Sequence, residues 1–205
     1  MARASLTALR RREFQKAAYD VAYAYGFSGL TIERVALEAG TSKGVIHHYF
    51  DSKHQLVEYA TRYAHGILAK AARQNLILAK TPSERLWAIV EANFLPESLT
   101  PPFFRLWFEA LDDQRLLYLV SILERRMRSN LIFALKQLGR AKDAGDLAYS
   151  IMNMYDGFWV LASVEDSLTR DTLLELIARY IKDLIPGFDM TAVDFLKRNA
   201  LTSRT

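Results

Sequence analysis

Helix start and stop signals recur along almost all of this 205-residue sequence, and they limit its fold more than any other feature. Residues 81–84, TPSE, combine a capping box with proline at the first helical position, which is a strong helix start. Ser52 and Gln55 match a second capping box, and the Pro-Gly pair at 186–187 is a strong stop. No run alternates apolar and polar residues between turn dipeptides, as strands do. The sequence therefore predicts an all-α chain of nine or ten helices.

The predicted helices form two groups. Three short, basic helices occupy the first 50 residues, and Gly26 and Gly40 are expected to end the first two. Phe14, Ala18, Val21, Ala22 and Tyr25 form the expected core stripe of the first helix. Longer, more apolar helices follow. Four of them are expected to begin at Ser52, at residues 81–84, at Thr100 and at Asp189, and three more are expected to span residues 115–138, 143–164 and 171–185.

Charge is distributed unevenly along the chain. Residues 1–80 carry 12 Lys and Arg against 6 Asp and Glu, whereas residues 81–205 carry 15 against 17. A basic segment of this kind is typical of contact with a polyanion, although six excess charges also fall within ordinary surface variation.

Composition excludes several classes of protein. The sequence has no cysteine, so it has no disulfide, thiolate nucleophile or cysteine zinc site. The N-terminal 20 residues contain no apolar signal-peptide core, so we expect a cytoplasmic protein. We find no P-loop, no nucleophile elbow and no zinc-protease motif, and we expect neither an enzyme nor a cofactor.

Residues 147–164 form a nearly uncharged stretch with the length of a minimal membrane span. Asp156, Asn153 and two serines interrupt it. We therefore predict a fully buried helix, in a core or between subunits, rather than a membrane helix.

The sequence AGTSKGVIHHYF, residues 39–50, joins two short predicted helices. Residues 32–50 then read as a helix, a three-residue turn that contains glycine, and a second helix. This is the helix-turn-helix arrangement, which places its second helix in the major groove of DNA. The apolar residues expected to face a small core with the first helix are Ile32, Val35, Ala36, Val45 and Ile46.

The second of these helices has a polar outer face, which we predict to contact double-stranded DNA. Its N-terminal end offers backbone N–H groups and a positive dipole end to phosphate. Lys53, at the start of the next helix, is a further candidate for a phosphate contact. The other predicted DNA-contacting residues are Thr41, Ser42, Lys43, His47, His48 and Tyr49.

The adjacent histidines raise a metal site as an alternative. Neighbours on a helix point about 100° apart, so His47 and His48 cannot readily ligate one ion. His47 and Asp51 could, but two ligands make a poor zinc site. We expect no metal, and two exposed histidines on a solvated helix are the simpler alternative to DNA contact.

Residues 31–56 resemble the DNA-binding segment of the TetR family of bacterial repressors. The residues that carry the resemblance are Ala39, Gly40, Ser42, Gly44, Phe50, Lys53 and Leu56. His47 departs from the family, which most often has tyrosine there. The resemblance implies a homodimer with a helix-turn-helix head, taken here as residues 1–55. It also implies a ligand-binding and dimerisation body, residues 56–205, that dimerises through its last long helices.

The body resembles one branch of that family, the choline-responsive BetI-type repressors of glycine betaine synthesis. The similar segments are AIVEANF at 88–94, the proline and tryptophan of 101–107, RMRSNL at 126–131 and YDGFW at 155–159. The resemblance implies a repressor that binds palindromic operator DNA and senses choline or a related quaternary ammonium compound.

Asp156 is the most informative residue of the body, because a carboxylate in an apolar helix is costly unless it is paired. Its partner is either a protein arginine or a ligand cation. Trimethylammonium groups bind in aromatic cages beside a carboxylate. Trp107, Asp156 and Trp159 would form such a cage if their helices face one another, although plain core packing also explains the tryptophans. Further candidates for the ligand pocket are Tyr149, Met152, Asn93 and Glu91.

Two alternatives remain open. One is a repressor of the same family that senses a neutral apolar molecule. The other is a helical adaptor protein without DNA binding, which would explain the helices but not the basic, glycine-turned head.

Overall fold

The structure, a computed structural model, describes residues 2–94, 114–165 and 168–197. Over those residues the chain is helical and contains no strand, which confirms the all-α prediction. The helix expected to begin at Thr100 lies outside the described residues. The helices are α1 (Ala2–Gly29), α2 (Ile32–Glu38), α3 (Lys43–Tyr49), α4 (Lys53–Leu78), α5 (Pro82–Glu91), α6 (Gln114–Gln137), α7 (Ala144–Val164) and α8 (Arg170–Leu184), followed by a 3-10 helix (Met190–Asp194).

Capping hydrogen bonds are present at two of the predicted helix starts. Glu84 N donates to Thr81 Oγ1 at 3.1 Å, and Thr81 N donates to Glu84 Oε2 at 3.1 Å, which completes the capping box of α5. At α4 the Ser52 hydroxyl accepts from Gln55 N at 3.3 Å. The Gln55 side chain accepts from Asp51 N, one residue earlier than a reciprocal box requires.

Gly26 ends the first, longer segment of α1, as expected from the sequence. Its φ of 69° is in the left-handed region, which glycine adopts without steric cost. After this kink a short helical segment continues to Gly29. Tyr25, just before the kink, is 58% exposed, and the Arg34 guanidinium stacks on its ring at 4.6 Å. The expectation that Tyr25 belongs to the core stripe was wrong.

The chain divides into two compact units. The first runs to Ile67 and includes α6 as far as Ser121; the second begins at Leu68 and includes α6 from Ile122 onward. Both α4 and α6 therefore contribute residues to each unit.

The first unit has an aromatic core. The Phe14 ring of α1 lies 4.9 Å from that of Tyr49 and 6.3 Å from that of Phe50, with edge-on geometry in both pairs. Ile46 of α3 is also fully buried here. Val45 was expected in this core but is 40% exposed, because its neighbour Ile46 takes the inward direction on this two-turn helix.

The second unit has a core built on α5, in which every residue from Leu86 to Val90 is buried. On α7 one face is buried, including Ile151, Tyr155 and Trp159. The opposite face is exposed in the single chain, so the fully buried helix predicted for residues 147–164 is half-buried here. Among the described helices, none combines the length and hydrophobicity that crossing a membrane requires.

Candidate functional site

The turn between α2 and α3 is built from short-range hydrogen bonds. Gly40 has a φ of 60°, which brings Thr41 N within 2.9 Å of the Ala36 carbonyl oxygen. Ser42 then caps α3, its hydroxyl accepting from Val45 N at 3.4 Å. Thr31 caps α2 in the same way by accepting from Arg34 N at 3.3 Å. The sequence predicted both caps and the glycine turn.

The outer face of α3 carries the predicted polar residues. Ser42, Lys43, His47 and His48 are exposed, and Thr41 is half-buried. Tyr49 is half-buried because its ring packs on Phe14, so it contributes to the core as well as to the surface of α3. The polar face of the short helix α3 is therefore exposed, as docking in the major groove of DNA requires.

Lys43 already has a partner within the helix-turn-helix. Its ammonium nitrogen lies 2.6 Å from Glu33 Oε1 of α2, and both side chains are exposed. The hydrogen bond from Lys43 lowers the pKa of Glu33 to about 2. Helical spacing does not predict this pair, because the two residues lie on different helices.

Lys53 lies where the third and fourth helices approach the end of α1. Its ammonium donates to the Ser28 carbonyl oxygen at 3.2 Å. Arg34 donates to the neighbouring Gly29 carbonyl oxygen at 2.8 Å. These two cations satisfy carbonyl groups at the C-terminal end of α1, which favours positive charge. Lys53 remains exposed, and its contact with phosphate stays a prediction.

The histidines of α3 are not part of a metal-type cluster. Over the residues that the structure describes, no three His, Asp or Glu side chains are grouped as ligands of one ion. His48 instead lies edge-on to the Tyr49 ring at 5.5 Å.

Asp156 on α7 is partly buried and has no hydrogen bond or ion pair to any described residue. Burial, together with the smaller effect of the neighbouring carboxyl group of Glu124 on α6, raises its pKa to about 6. Burial also raises the pKa of Glu124. Two carboxyl groups thus share a partly desolvated region, which a bound cation would stabilise. The arginine partner considered from the sequence is absent among the described residues.

Aromatic rings lie beside Asp156 along α7. The ring of Tyr155 lies 6.1 Å from that of Trp159 and 6.3 Å from that of Phe94. The Tyr155 hydroxyl lies 3.7 Å from the sulfur atom of Met127, and Trp159 Nε1 donates to the Asn93 carbonyl oxygen at 2.9 Å. Sequence reasoning missed Tyr155, although its place four residues before Trp159 puts both on one side of a helix.

The other predicted pocket residues differ in how deeply they are buried. Asn93 is buried, and its amide donates to the Ile89 carbonyl oxygen at 2.7 Å; Met152 is also buried. Tyr149 is 51% exposed, and the guanidinium of Arg128 stacks on its ring at 4.1 Å. Tyr149 therefore does not join the buried cluster of Tyr155 and Trp159. Trp107 lies outside the described residues.

Glu91 is engaged elsewhere. It accepts from Trp87 Nε1 at 2.9 Å and forms an ion pair with Arg170 at 3.0 Å. Arg170 Nε also donates to the Phe94 carbonyl oxygen. Glu91 therefore has structural contacts with Trp87 and Arg170, and its role in a ligand pocket stays a prediction.

Two family profiles match the chain. One described as "Bacterial regulatory proteins, tetR family" matches residues 15–60, which contain the helix-turn-helix. One described as "BetI-type transcriptional repressor, C-terminal" matches residues 82–186, which contain Asp156.

Curated relatives and solved structures agree with these profiles. The chain is 31% identical over 171 residues to the HTH-type transcriptional regulator BetI of Rhizobium meliloti, covering 82% of this chain and 84% of the relative. For BetI of Agrobacterium fabrum the identity is 32%, with coverage of 82% and 83%. A transcriptional regulator from Saccharomonospora viridis, solved in complex with choline, is similar in fold, with a TM-score of 0.75 at 20% identity over 85% of this chain and 96% of that chain. A Rhodococcus sp. regulator gives 0.73 at 22% identity over 86% and 96%.

Proposed function

The chain belongs to the TetR family of bacterial transcriptional regulators and has a BetI-type C-terminal domain, and on this premise we propose that its effector is choline or a closely related quaternary ammonium compound. As a member of this family it is a DNA-binding repressor and not an enzyme. We further propose that α3 contacts the operator bases and that Lys53 contacts a phosphate.

The observation that carries the effector proposal is the partly buried carboxyl group of Asp156, which has no ion pair or hydrogen bond to a described residue. A carboxylate in such a place costs free energy in the absence of a partner. Glu124 adds a second carboxyl group nearby, and its charge raises the free-energy cost of ionising Asp156. A ligand with a permanent positive charge removes that cost when it binds, whereas a neutral ligand does not.

Aromatic rings make a quaternary ammonium compound the best match among cations. Tyr155 and Trp159 lie one residue before and three residues after Asp156, and Phe94 lies against Tyr155. Ring faces attract a diffuse cation that has no N–H donors and a weak hydration shell. The choline complex of the Saccharomonospora viridis regulator and the BetI assignment of the curated relatives support the same ligand class.

We also propose a homodimer formed through α7 and α8. The exposed residues of these helices include large apolar side chains: Tyr149, Val160 and Leu161 on α7, and Leu176 and Tyr180 on α8. An exposed apolar face of this size favours association with a second copy. A dimer would present two α3 helices to successive major grooves, about 34–36 Å apart or a multiple of that. Light scattering checks this, and a monomer mass at micromolar concentration would contradict it.

The effector proposal is tested by calorimetric titration. Wild type should bind choline, whereas its neutral isostere 3,3-dimethylbutan-1-ol should bind at least about tenfold more weakly. Asp156→Asn keeps the shape and removes the charge, and should weaken choline by about 1–3 kcal/mol. Asp146→Asn is the matched control, because Asp146 is exposed on the same helix and should not change the affinity.

The alternatives give different results in the same experiments. If the neutral isostere binds as tightly as choline, the effector is a neutral apolar molecule and Asp156 is structural. If gel-shift titration against the DNA upstream of neighbouring genes finds no retarded fragment, the helical adaptor becomes the better assignment.

A further inference from the structure

The second unit contains an open cavity whose lining residues do not include Asp156, and the charged groups in that lining are all cations. The cavity has a volume of about 580 Å³, within the range of small-molecule sites, and it is bounded by α4, α5 and α6. Three arginines line it, and no carboxylate occurs among its lining residues: Ala69, Ala72, Arg73, Leu76, Ile77, Arg85, Ile89, Leu123, Arg126, Met127 and Asn130. The charged side chains of this lining are cations, whereas those around Asp156 are carboxyl groups.

The three guanidinium groups have no anionic partner in the part of the chain that the structure describes. Arg73, Arg85 and Arg126 form no ion pair with any described residue, and their side chains donate no hydrogen bond there. Arg73 and Arg126 are exposed, so water can solvate them. Arg85 differs, because its Nε is buried and has no acceptor within the described residues.

Stacking positions Arg85 without using its donors. Its guanidinium lies over the ring of Phe133 at 4.9 Å. The N–H bonds of a guanidinium lie in its own plane, so an aromatic ring on one face leaves all of them available. A buried N–H without an acceptor costs free energy, and an oxyanion that reached it would recover that cost.

The rest of the lining is apolar and partly exposed. Ile77 is 76% exposed, and Leu76, Ile89 and Leu123 complete an aliphatic wall. An inorganic anion would bind the arginines but would leave the aliphatic wall exposed to water. A ligand with both an oxyanion and an aliphatic chain would use both parts of the cavity, because arginine binds a carboxylate with two parallel hydrogen bonds and the chain covers the wall.

We propose that this cavity is a second ligand site, separate from the effector site of Asp156, and that it binds an amphiphilic carboxylate with an unbranched aliphatic chain. Arg85 and Arg126 hold the carboxylate, and the wall formed by α4 and α5 holds the chain. The proposal does not depend on the identity of the effector.

Calorimetric titration of the full-length protein with decanoate and with decan-1-ol tests the site, because the two ligands share a chain and differ in charge. Decanoate should bind wild type at least about tenfold more tightly than decan-1-ol. Arg126→Gln should weaken decanoate about tenfold and leave decan-1-ol unchanged. Arg85→Met should have a larger effect on decanoate, since it removes the buried donor.

Arg125→Gln is the matched control, because Arg125 is exposed on the same helix, carries the same charge and lies outside the lining. Choline titrated into the same samples separates this proposal from the effector proposal: neither Arg126→Gln nor Arg125→Gln should change choline affinity. If Arg85→Met fails to fold, Arg126→Gln decides the outcome alone. Absence of decanoate binding, equal binding of decan-1-ol, or an equal loss in Arg125→Gln would each overturn the proposal.

Discussion

The indole Nε1 of Trp159 donates a hydrogen bond of 2.9 Å to the backbone carbonyl oxygen of Asn93. This bond joins the middle of α7 to the segment after α5, across 66 residues of sequence. It fixes the Trp159 ring beside Tyr155, next to Asp156. The bond therefore links the stability of the second unit to the shape of the proposed effector site.

Trp159→Phe should destabilise the protein by about 1–3 kcal/mol, because it keeps an aromatic ring but removes the donor to a buried carbonyl group. Trp159→Ala should cost more, about 3–5 kcal/mol, since it also leaves a cavity. Urea unfolding followed by far-UV circular dichroism measures both values. Equal midpoints for wild type and Trp159→Phe would show that the hydrogen bond contributes no net stability.

Asp156→Asn should stabilise the ligand-free protein at pH 7.5. The pKa of Asp156 is about 6 in the folded protein, above its ordinary value of 3.8. The folded state therefore holds the proton more tightly than the unfolded chain, and stability falls as pH rises from about 4 through 6. Since Asp156 is partly exposed, we expect a gain of about 1–2 kcal/mol in the variant at pH 7.5 and a smaller one at pH 4.

Urea titrations at the two pH values measure this difference. His65 has a pKa of about 4 because of burial, but it is present in both proteins, so its contribution cancels. Asp146→Asn is again the control and should show no comparable gain. A variant less stable than wild type at pH 7.5 would mean that Asp156 has a stabilising partner.

Choline affinity should depend on pH in the range set by Asp156. Protonation below about pH 6 removes the negative charge that attracts the cation, so the dissociation constant should rise by up to about tenfold per pH unit below that value. Bound choline favours the ionised carboxylate and should shift this midpoint to lower pH. Asp156→Asn should abolish most of the dependence. Titrations between pH 5 and 8 provide the measurement, and an unchanged profile in the variant would assign the dependence to another group such as Glu124.

Operator binding should weaken steeply with salt. If each head contacts about four phosphates, the slope of log affinity against log salt is about −7 for the dimer. Lys53→Ala removes one proposed phosphate contact from each of the two heads, so it should weaken binding to all sequences alike and make the slope shallower by about 2. His47→Ala and Lys43→Ala should instead change which operator is preferred. Fluorescence anisotropy at several salt concentrations measures these effects, and a slope near zero would contradict DNA binding by the basic head.

Glu33→Gln should strengthen DNA binding, because it frees Lys43 from an ion pair and removes a negative charge from the helix-turn-helix. The gain should be largest at low salt, since the contact is exposed and screened. Glu38→Gln on the same helix is the control for charge alone. If both variants gain equally, the pairing with Lys43 has no specific role.

Local hydrogen bonds explain why much of the fold could be predicted. The caps at Ser42 and Thr81 and the turn at Gly40 depend on partners within five residues, so the sequence alone determines them. The same local rules failed at Val45. There the direction that faces the core is taken by the neighbouring Ile46, which is fully buried, so Val45 is left exposed.

The candidate sites divide in the same way. The polar face of α3 could be read from the sequence, because exposure on a short helix follows from its spacing. The sequence also showed Asp156 in an apolar helix. It did not show that Glu124 of α6 is its neighbour, or that Phe94, from the segment after α5, contacts Tyr155 beside it.

The sequence by itself determined the helices, the turn and the residue types available for binding, because these depend on interactions between near neighbours in the chain. Only the tertiary structure decided that Asp156 has no described basic partner, that Glu91 is taken by Arg170, and that three arginines line one cavity. The physical reason is distance along the chain: burial and charge pairing arise between helices that lie tens of residues apart, and helical periodicity does not encode which of them meet.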